Sequence, residues 1–467
     1  MSVVFEKSAF LYGDDFDIVA YLKNIKSIFD SNHFRLPNLL MPWVILLPKW
    51  IPAFLSFASL IYIFIAGSRL GRFENSWKAM VLFTAGVVFL FPWIDQLYLI
   101  SFQAPYLWGT ALTLLLIRWV LSERRQAAAA LFIYSFFIGF WLEIYGGALL
   151  GACVCLALFY KSFRNSSIAS VICGLICGIM LAAVPLILQE KWTKWPYFET
   201  RMELIYPYIL PTLIYMAVCV VLLRKHKSYV INSLNLTLLE ISVAASLLTL
   251  YFCTGVRLNG LGIVCSIIGI IYLLRPFFGK GYLSAIASAG IFIFSIIHLI
   301  VLDELCYRLG KETDYVLDRY MNKRESPVFA EITLREDVPW IALQKPYFDW
   351  FAHHGPVRVF NEIYGNENLP LVVVPKQLEN FTPEVAECID GDSCIYYYQG
   401  YLVTQEGDTD LFYIDYGNGP VIRYFYTVDF TGADGKKYTW NHLDYALLEA
   451  IMNPRPISMH RYIVPTF

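Results

Sequence analysis

Runs of apolar residues dominate the first two thirds of the chain, and shorter apolar runs set among polar residues take over after residue 302. A helix needs roughly 20 apolar residues to cross a bilayer, with about 17 as a lower limit. On that measure ten stretches predict spans, near residues 50–66, 79–94, 105–121, 127–142, 146–160, 168–188, 205–223, 234–253, 258–274 and 282–302. The fourth and fifth are short and parted only by residues 143–147, which also fits a re-entrant pair. Ahead of the spans, Ile18, Tyr21, Leu22, Ile25, Ile28 and Phe29 recur at helical spacing, with Lys23, Asn24 and Lys26 on other faces. That stripe predicts an amphipathic helix in the membrane interface. Pro37, Pro42, Pro48 and Pro52 then break up the approach to the first span.

Beyond residue 302 a helix-like stretch runs to about Arg324. Short β-rich runs follow at 328–333, 357–363, 371–374, 395–404, 411–416 and 421–430, with Gly-containing turns at 415–420 and 432–435. Leu443, Ala446, Leu447 and Ile451 repeat at helical period and predict a last helix over 441–452. The expected fold is therefore an α-helical polytopic membrane bundle of about ten spans (50–302) behind an N-terminal segment (1–49). A small α+β domain (303–467) follows it.

Composition agrees with the pattern. The chain is 57% hydrophobic and 16% charged, against about 25% charged for a soluble domain. Residues 1–302 carry 13 Asp/Glu against 22 Lys/Arg, and residues 303–467 carry 25 against 14. A basic apolar part and an acidic polar part argue for two domains, and neither offers the basic, aromatic-interleaved patch of a nucleic-acid binder. Alternate loops hold thirteen Lys/Arg, from Arg69 and Arg72 to Arg275 and Lys280; the intervening loops hold four, Lys191, Lys194, Arg201 and Arg257. The positive-inside rule makes the first set cytoplasmic. It puts the N-terminal segment, the loops around Asp95, Glu143 and Arg257, and residues 303–467 outside. No basic n-region precedes an apolar core, so no signal peptide is expected. Seven of the ten cysteines fall in apolar runs, while Cys388 and Cys394 flank a Gly-containing turn that would let them bond in an oxidising compartment.

The densest chemistry is Tyr12-Gly-Asp-Asp-Phe-Asp17, where Asp14, Asp15 and Asp17 precede the interfacial helix. Carboxylates there suit a general base and suit a helix cap or turn equally well. Asp95 and Glu143 stand at outer ends of spans, where the alternatives are a span stop and a snorkelling interface residue. Arg257, Arg201, Arg35 and His33, with Lys191 and Lys194, supply positive charge on the same side, for a bound phosphate or for lipid headgroups. Glu240 lies inside a span towards the other side, with Arg118 as its expected partner, and His298 is expected to pack near the end of the last span. His353-His354 has no third ligand nearby in sequence, so no metal is expected. Walker A, Rossmann and Gly-x-Ser-x-Gly patterns are absent from the sequence, and no cofactor is implied.

An interfacial stretch led by acidic residues, a many-span bundle and a polar outer domain together resemble the GT-C glycosyltransferases. The acidic element Gly13-Asp-Asp-Phe16 sits in the place of that superfamily's first outer loop. More closely, Gly13-Asp-Asp-Phe16, Trp141-Leu-Glu-Ile144 and Phe348-Asp-Trp-Phe-Ala-His-His354 leading to Ile363-Tyr-Gly365 resemble a family of bacterial multi-span proteins common in gut Bacteroidetes. The resemblance implies a bacterial cytoplasmic-membrane protein that transfers sugar from a polyprenyl-phosphate donor to an envelope glycan or lipid acceptor. It implies Asp14 or Asp15 as base. GT-C enzymes carry a span ahead of the acidic loop, and the stretch before Asp14 is too short for one. Either the start is trimmed or the tail reaches the outer side without it. The rival expectation is a non-catalytic membrane protein whose outer domain binds an envelope partner. A transporter fits less well, because only Glu240 lies well inside a span.

Overall fold

The computed structural model describes residues 34–48, 50–93, 96–97, 102–122, 126–188, 198–252, 259–278 and 282–322, and ten short strands between 328 and 442. The first unit is helical. Its helices are α1 (Leu36–Leu46), α2 (Trp50–Leu70), α3 (Trp77–Leu90), α4 (Gly109–Val120), α5 (Ala128–Trp141) and α6 (Glu143–Phe159). They continue with α7 (Ser166–Leu188), α8 (Phe198–Leu223), the short α9 (Lys227–Val230), α10 (Ser233–Phe252), α11 (Gly260–Leu274) and α12 (Tyr282–Asn322). A π-helical segment, Gln103–Trp108, leads directly into α4. Two compact units part within α12, between Glu304 and Leu305.

Five stretches are long and apolar enough to cross a membrane: Trp50–Leu70, Ser166–Val184, Ser233–Leu250, Gly260–Phe277 and Ala285–Glu304. Trp77–Leu90, Ala128–Trp141, Glu143–Phe159 and Tyr208–Leu223 are shorter apolar helices. Ile286, Ile293 and Ile300 on α12, and Val220 and Val221 on α8, lie exposed on the outside of the unit. Such apolar faces need lipid or a partner to cover them. α11 sits inside, its residues from Gly260 to Leu273 buried almost without interruption.

Capping marks where the helices begin. Ser76 accepts from the Ala79 N–H at 3.4 Å, Asn165 from that of Ile168 at 3.0 Å and Asn232 from that of Asn235 at 2.9 Å. The guanidinium of Arg164 closes the end of α6 by donating to the Ala157 and Leu158 carbonyls, both at 2.7 Å. Hydropathy alone sets residues 143–147 between two helices. They are instead the first turn of α6, and the break is a single extended residue, Leu142. Gly139 and Gly146 meet across it, so the chain turns back sharply there.

α5 packs on α7 through bare backbone. A Cβ on Gly178 would fall on the Phe136 carbonyl, one on Gly174 on that of Phe132, and one on Gly139 within 2.6 Å of the Leu175 carbonyl. Small residues at these positions let two apolar helices approach closely, the principal source of packing where lipid is the solvent. Side-chain hydrogen bonds add to it. The Thr212 hydroxyl shares bonds with Ser246 (2.8 Å) and Ser266 (3.1 Å), joining α8, α10 and α11. Glu240 and Arg118, expected partners, form no ion pair. Arg118 donates to the Tyr62 hydroxyl at 3.3 Å, and Glu240 lies against Gly151 of α6.

The strands of the second unit are β1 (Val328–Ile332), β2 (Leu371–Pro375), β3 (Thr382–Asp390), β4 (Ser393–Gln399), β5 (Val403–Thr404) and β6 (Gly407–Asp408). β7 (Leu411–Asp415), β8 (Ile422–Arg423), β9 (Tyr426–Thr431) and β10 (Lys437–His442) complete them. β3-β4-β7-β8 form an antiparallel sheet, β1 pairs parallel with β2, and β5-β6 and β9-β10 are two-stranded. β3 was missed in sequence, since Pro383, Glu384 and Glu387 mask its alternation. Asn441 and His442 end β10 and so do not begin the expected helix, whose other residues lie outside the described ones, as does the run 357–363.

Two predictions follow from these elements. Gly178→Ala lowers the thermal unfolding midpoint in detergent, since overpacking costs about 1–3 kcal/mol. Gly290→Ala, with open space around it, leaves the midpoint unchanged or raises it, because Ala is the better helix former by about 1 kcal/mol. If Gly178→Ala melts at or above the wild type, the backbone contact of α5 with α7 is wrong. In the β3–β4 hairpin Cys388 and Cys394 are direct cross-strand partners, a separation a disulfide spans. Non-reducing mass spectrometry of protein from an oxidising compartment should find them bridged, and two free thiols would refute the bond.

Candidate functional site

Arg35 precedes α1 as its N-cap residue, in extended conformation, with Pro37 opening the helix. Glu143 stands in the first turn of α6, where a carboxylate is favoured by the helix dipole. The fold brings the two together across 108 positions of sequence as an ion pair between Arg35 and Glu143 Oε1. Their side chains keep only 19% and 16% of their exposure. Glu143 Oε2 is buried with no hydrogen-bond partner. One carboxylate oxygen is therefore neutralised by a guanidinium, and the other remains a bare acceptor.

The surroundings hold the pair in place. Phe34 packs on Phe140 with ring centroids 5.5 Å apart, which fixes the entry to α1 against the end of α5. Trp141 donates its indole N–H to the Ala104 carbonyl at 3.0 Å, so the helix break is tied to the π-helical segment. Pro105, inside that segment, has no N–H to give to an α-helical ladder, and the backbone widens around it. Gln103 accepts from Ser56 at 2.9 Å and donates to the Leu97 carbonyl at 2.6 Å. Trp108 donates to Ser56 at 2.9 Å, securing the segment to α2. Behind Glu143 the Tyr145 hydroxyl meets Thr110 at 3.2 Å, and buried Gln96 presses on Gly260 at the start of α11.

Of the acids and cations proposed in sequence for the outer site, Arg35 and Glu143 are placed and are in contact. Asp14, Asp15, His33, Asp95 and Arg257 lie outside the described residues, as does the side chain of Arg201, whose backbone belongs to α8. Gln96, Gln103 and the π-helical turn were not singled out. Gln103-Ala-Pro105 inside an apolar run was the available signal, because a proline there removes a helix hydrogen bond and a glutamine must find partners. His298 is fully buried, its ring 5.0 Å from that of Phe89.

An ion pair of this exposure costs more to break than to replace. Arg35→Met and Glu143→Leu should each lower the unfolding midpoint, and the double variant should recover part of the loss, with a coupling of about 1–3 kcal/mol. Additive losses in thermal unfolding of the three variants would mean that the two groups do not act on each other.

No protein-family model, no curated protein and no solved structure matches this chain.

Proposed function

We propose that the protein is a membrane glycosyltransferase of GT-C-like layout, moving a sugar from a polyprenyl-phosphate carrier to an envelope glycan or lipid acceptor. The observation that carries the reading is the Arg35–Glu143 pair, shielded at a helix break and keeping one carboxylate oxygen free. Transfer needs two charges in one place. An acceptor hydroxyl loses its proton to a carboxylate as its oxygen attacks the anomeric carbon. The bond from that carbon to the phosphate oxygen breaks, and positive charge is needed where the phosphate leaves. Glu143 Oε2 serves the first need or orients the acceptor, alongside Asp14 or Asp15. Arg35 serves the second by exchanging Glu143 for the phosphate, two of whose oxygens its planar fork can bond at once. In this reading the site faces the outer side of a bacterial cytoplasmic membrane, crossed about ten times, with residues 303–467 as an outer α+β domain.

The test is profiling of lipid-linked sugars and envelope glycans in cells carrying each variant. Glu143→Gln and Asp15→Asn keep size and hydrogen bonding but lose the proton acceptor, and the one that is the base lowers transfer by about 10²-fold or more. Arg35→Lys keeps the charge and loses the fork, so it restores activity only in part. A periplasm-active reporter fused after residue 310 is active if the side is right. Wild-type glycan profiles in Glu143→Gln, Asp14→Asn and Asp15→Asn, when deletion of the gene changes the profile, rule out catalysis by these carboxylates. A deletion without effect on any glycan leaves the non-catalytic envelope-binding protein as the better reading.

A further inference from the structure

The opposite end of the helical unit carries a second charged feature that the proposed transfer does not use. There the loop from α8 to α10 forms an open, shallow cavity at the surface, lined by Lys225, His226, Lys227, Ser228, Tyr229 and Ile231. Three of the six are basic, and none is acidic. Lys225, His226, Lys227 and Ser228 are exposed. No described carboxylate pairs with Lys225 or Lys227.

The loop is held in shape. Tyr229 donates to the Tyr272 carbonyl at 2.6 Å, and the two rings stack with centroids 5.0 Å apart. Asn232 donates to the Tyr272 hydroxyl at 3.3 Å and caps α10. On the other side of the loop the His226 ring packs edge-on against Phe277, centroids 5.5 Å apart. Tyr272 lies in the last turn of α11 and Phe277 in the short 3₁₀ turn that follows it, so the basic side chains project from a fixed frame.

Further cations converge on the same frame. The Arg275 guanidinium donates to the Arg72 carbonyl, joining the end of α11 to the loop between α2 and α3. Arg72 adopts a left-handed backbone, φ 54°, to make that turn. Burial pushes the Tyr229 hydroxyl up to about 12, and Arg275 and Arg72 stand close enough to pull partly against that shift. Glu74, the acid nearest Arg72 in sequence, makes no ion pair. Arg72 and Arg275 thus add positive charge near Tyr229, beside the loop that carries Lys225 and Lys227.

We propose that this cavity binds a phosphate group, held by Lys225 and Lys227 with hydrogen bonds from His226 and Ser228. Charge-assisted donors around a concave surface suit that group. It comes either as the headgroup of an anionic lipid or as a free phosphate compound. Loop lysines at a membrane surface are commonplace, so the distinction lies in saturable binding at one pinned loop.

The purified full-length chain in detergent, offered equal amounts of phosphatidylglycerol and phosphatidylcholine, is examined by native mass spectrometry. Preferential retention of phosphatidylglycerol, weakened about tenfold or more in Lys225→Gln/Lys227→Gln, supports the lipid source. Lys161→Gln/Arg124→Gln removes two charges from the connections after α6 and α4 and should leave retention unchanged. Calorimetry with inorganic phosphate and pyrophosphate is the second arm, and saturable binding lost in the Lys225→Gln/Lys227→Gln variant assigns a free phosphate. A wild-type chain that prefers no anion in either arm overturns the proposal, as does equal loss in both pairs of variants.

Discussion

A hydroxyl or amide carried into an apolar bundle finds no water there, so it must meet a partner on its own or a neighbouring helix. That constraint organises the helical unit. Thr212, Ser246 and Ser266 satisfy one another across three helices, and Asn259 reaches the Tyr208 carbonyl at 2.8 Å and Ser246 at 3.2 Å. Tyr215 donates to Asn235 at 2.6 Å over Gly269, where any side chain would strike its ring. Asn235 in turn donates to the Val230 carbonyl at 2.9 Å. Each contact orients as well as attracts, because a slipped helix would strand its polar groups. Lipid-facing leucines and isoleucines impose no such register.

Close backbone approach is the companion of these bonds. Gly139, Gly174 and Gly178 let α5 and α7 touch through main chain, and Gly146 brings the start of α6 onto Gly139. The sharp reversal at Leu142 depends on that contact, and the reversal delivers Glu143 to the end of the bundle where Arg35 waits. Small residues at the turn and the ion pair beside it therefore belong to one device.

Much of this was legible in sequence, and the limits have physical causes. Hydropathy located helices because a long apolar run has no other way to satisfy its backbone in lipid. Arg275 reaches the Arg72 carbonyl, while Glu143 meets Arg35, each pair from loops assigned to one side. Periodicity gave no partner for a lone polar residue inside a helix. Glu240 was matched to Arg118 by charge alone, whereas Arg118 is taken by Tyr62. Hydropathy also smooths over Gln103-Ala-Pro105. The π-helical turn arises from which neighbours accept its freed groups, and that is tertiary information.

The ion pair can be weighed against a purely structural one by asking what each oxygen of Glu143 does. A carboxylate kept only to neutralise Arg35 gains most from two donors, since every lone pair left dry costs free energy. Oε1 meets the guanidinium, while Oε2 is enclosed without a donor. Backbone amides at the start of α6 already favour the charge, so further stabilisation was available to a side chain turned a little more towards them. The arrangement gives that up and keeps an acceptor beside a cation, in a frame pinned by Trp141 and Phe34. Uncompensated buried acceptors are rare in folded proteins and concentrate where a bound group completes them. In the proposed transfer the group that completes Oε2 is the acceptor hydroxyl, which supplies the missing donor.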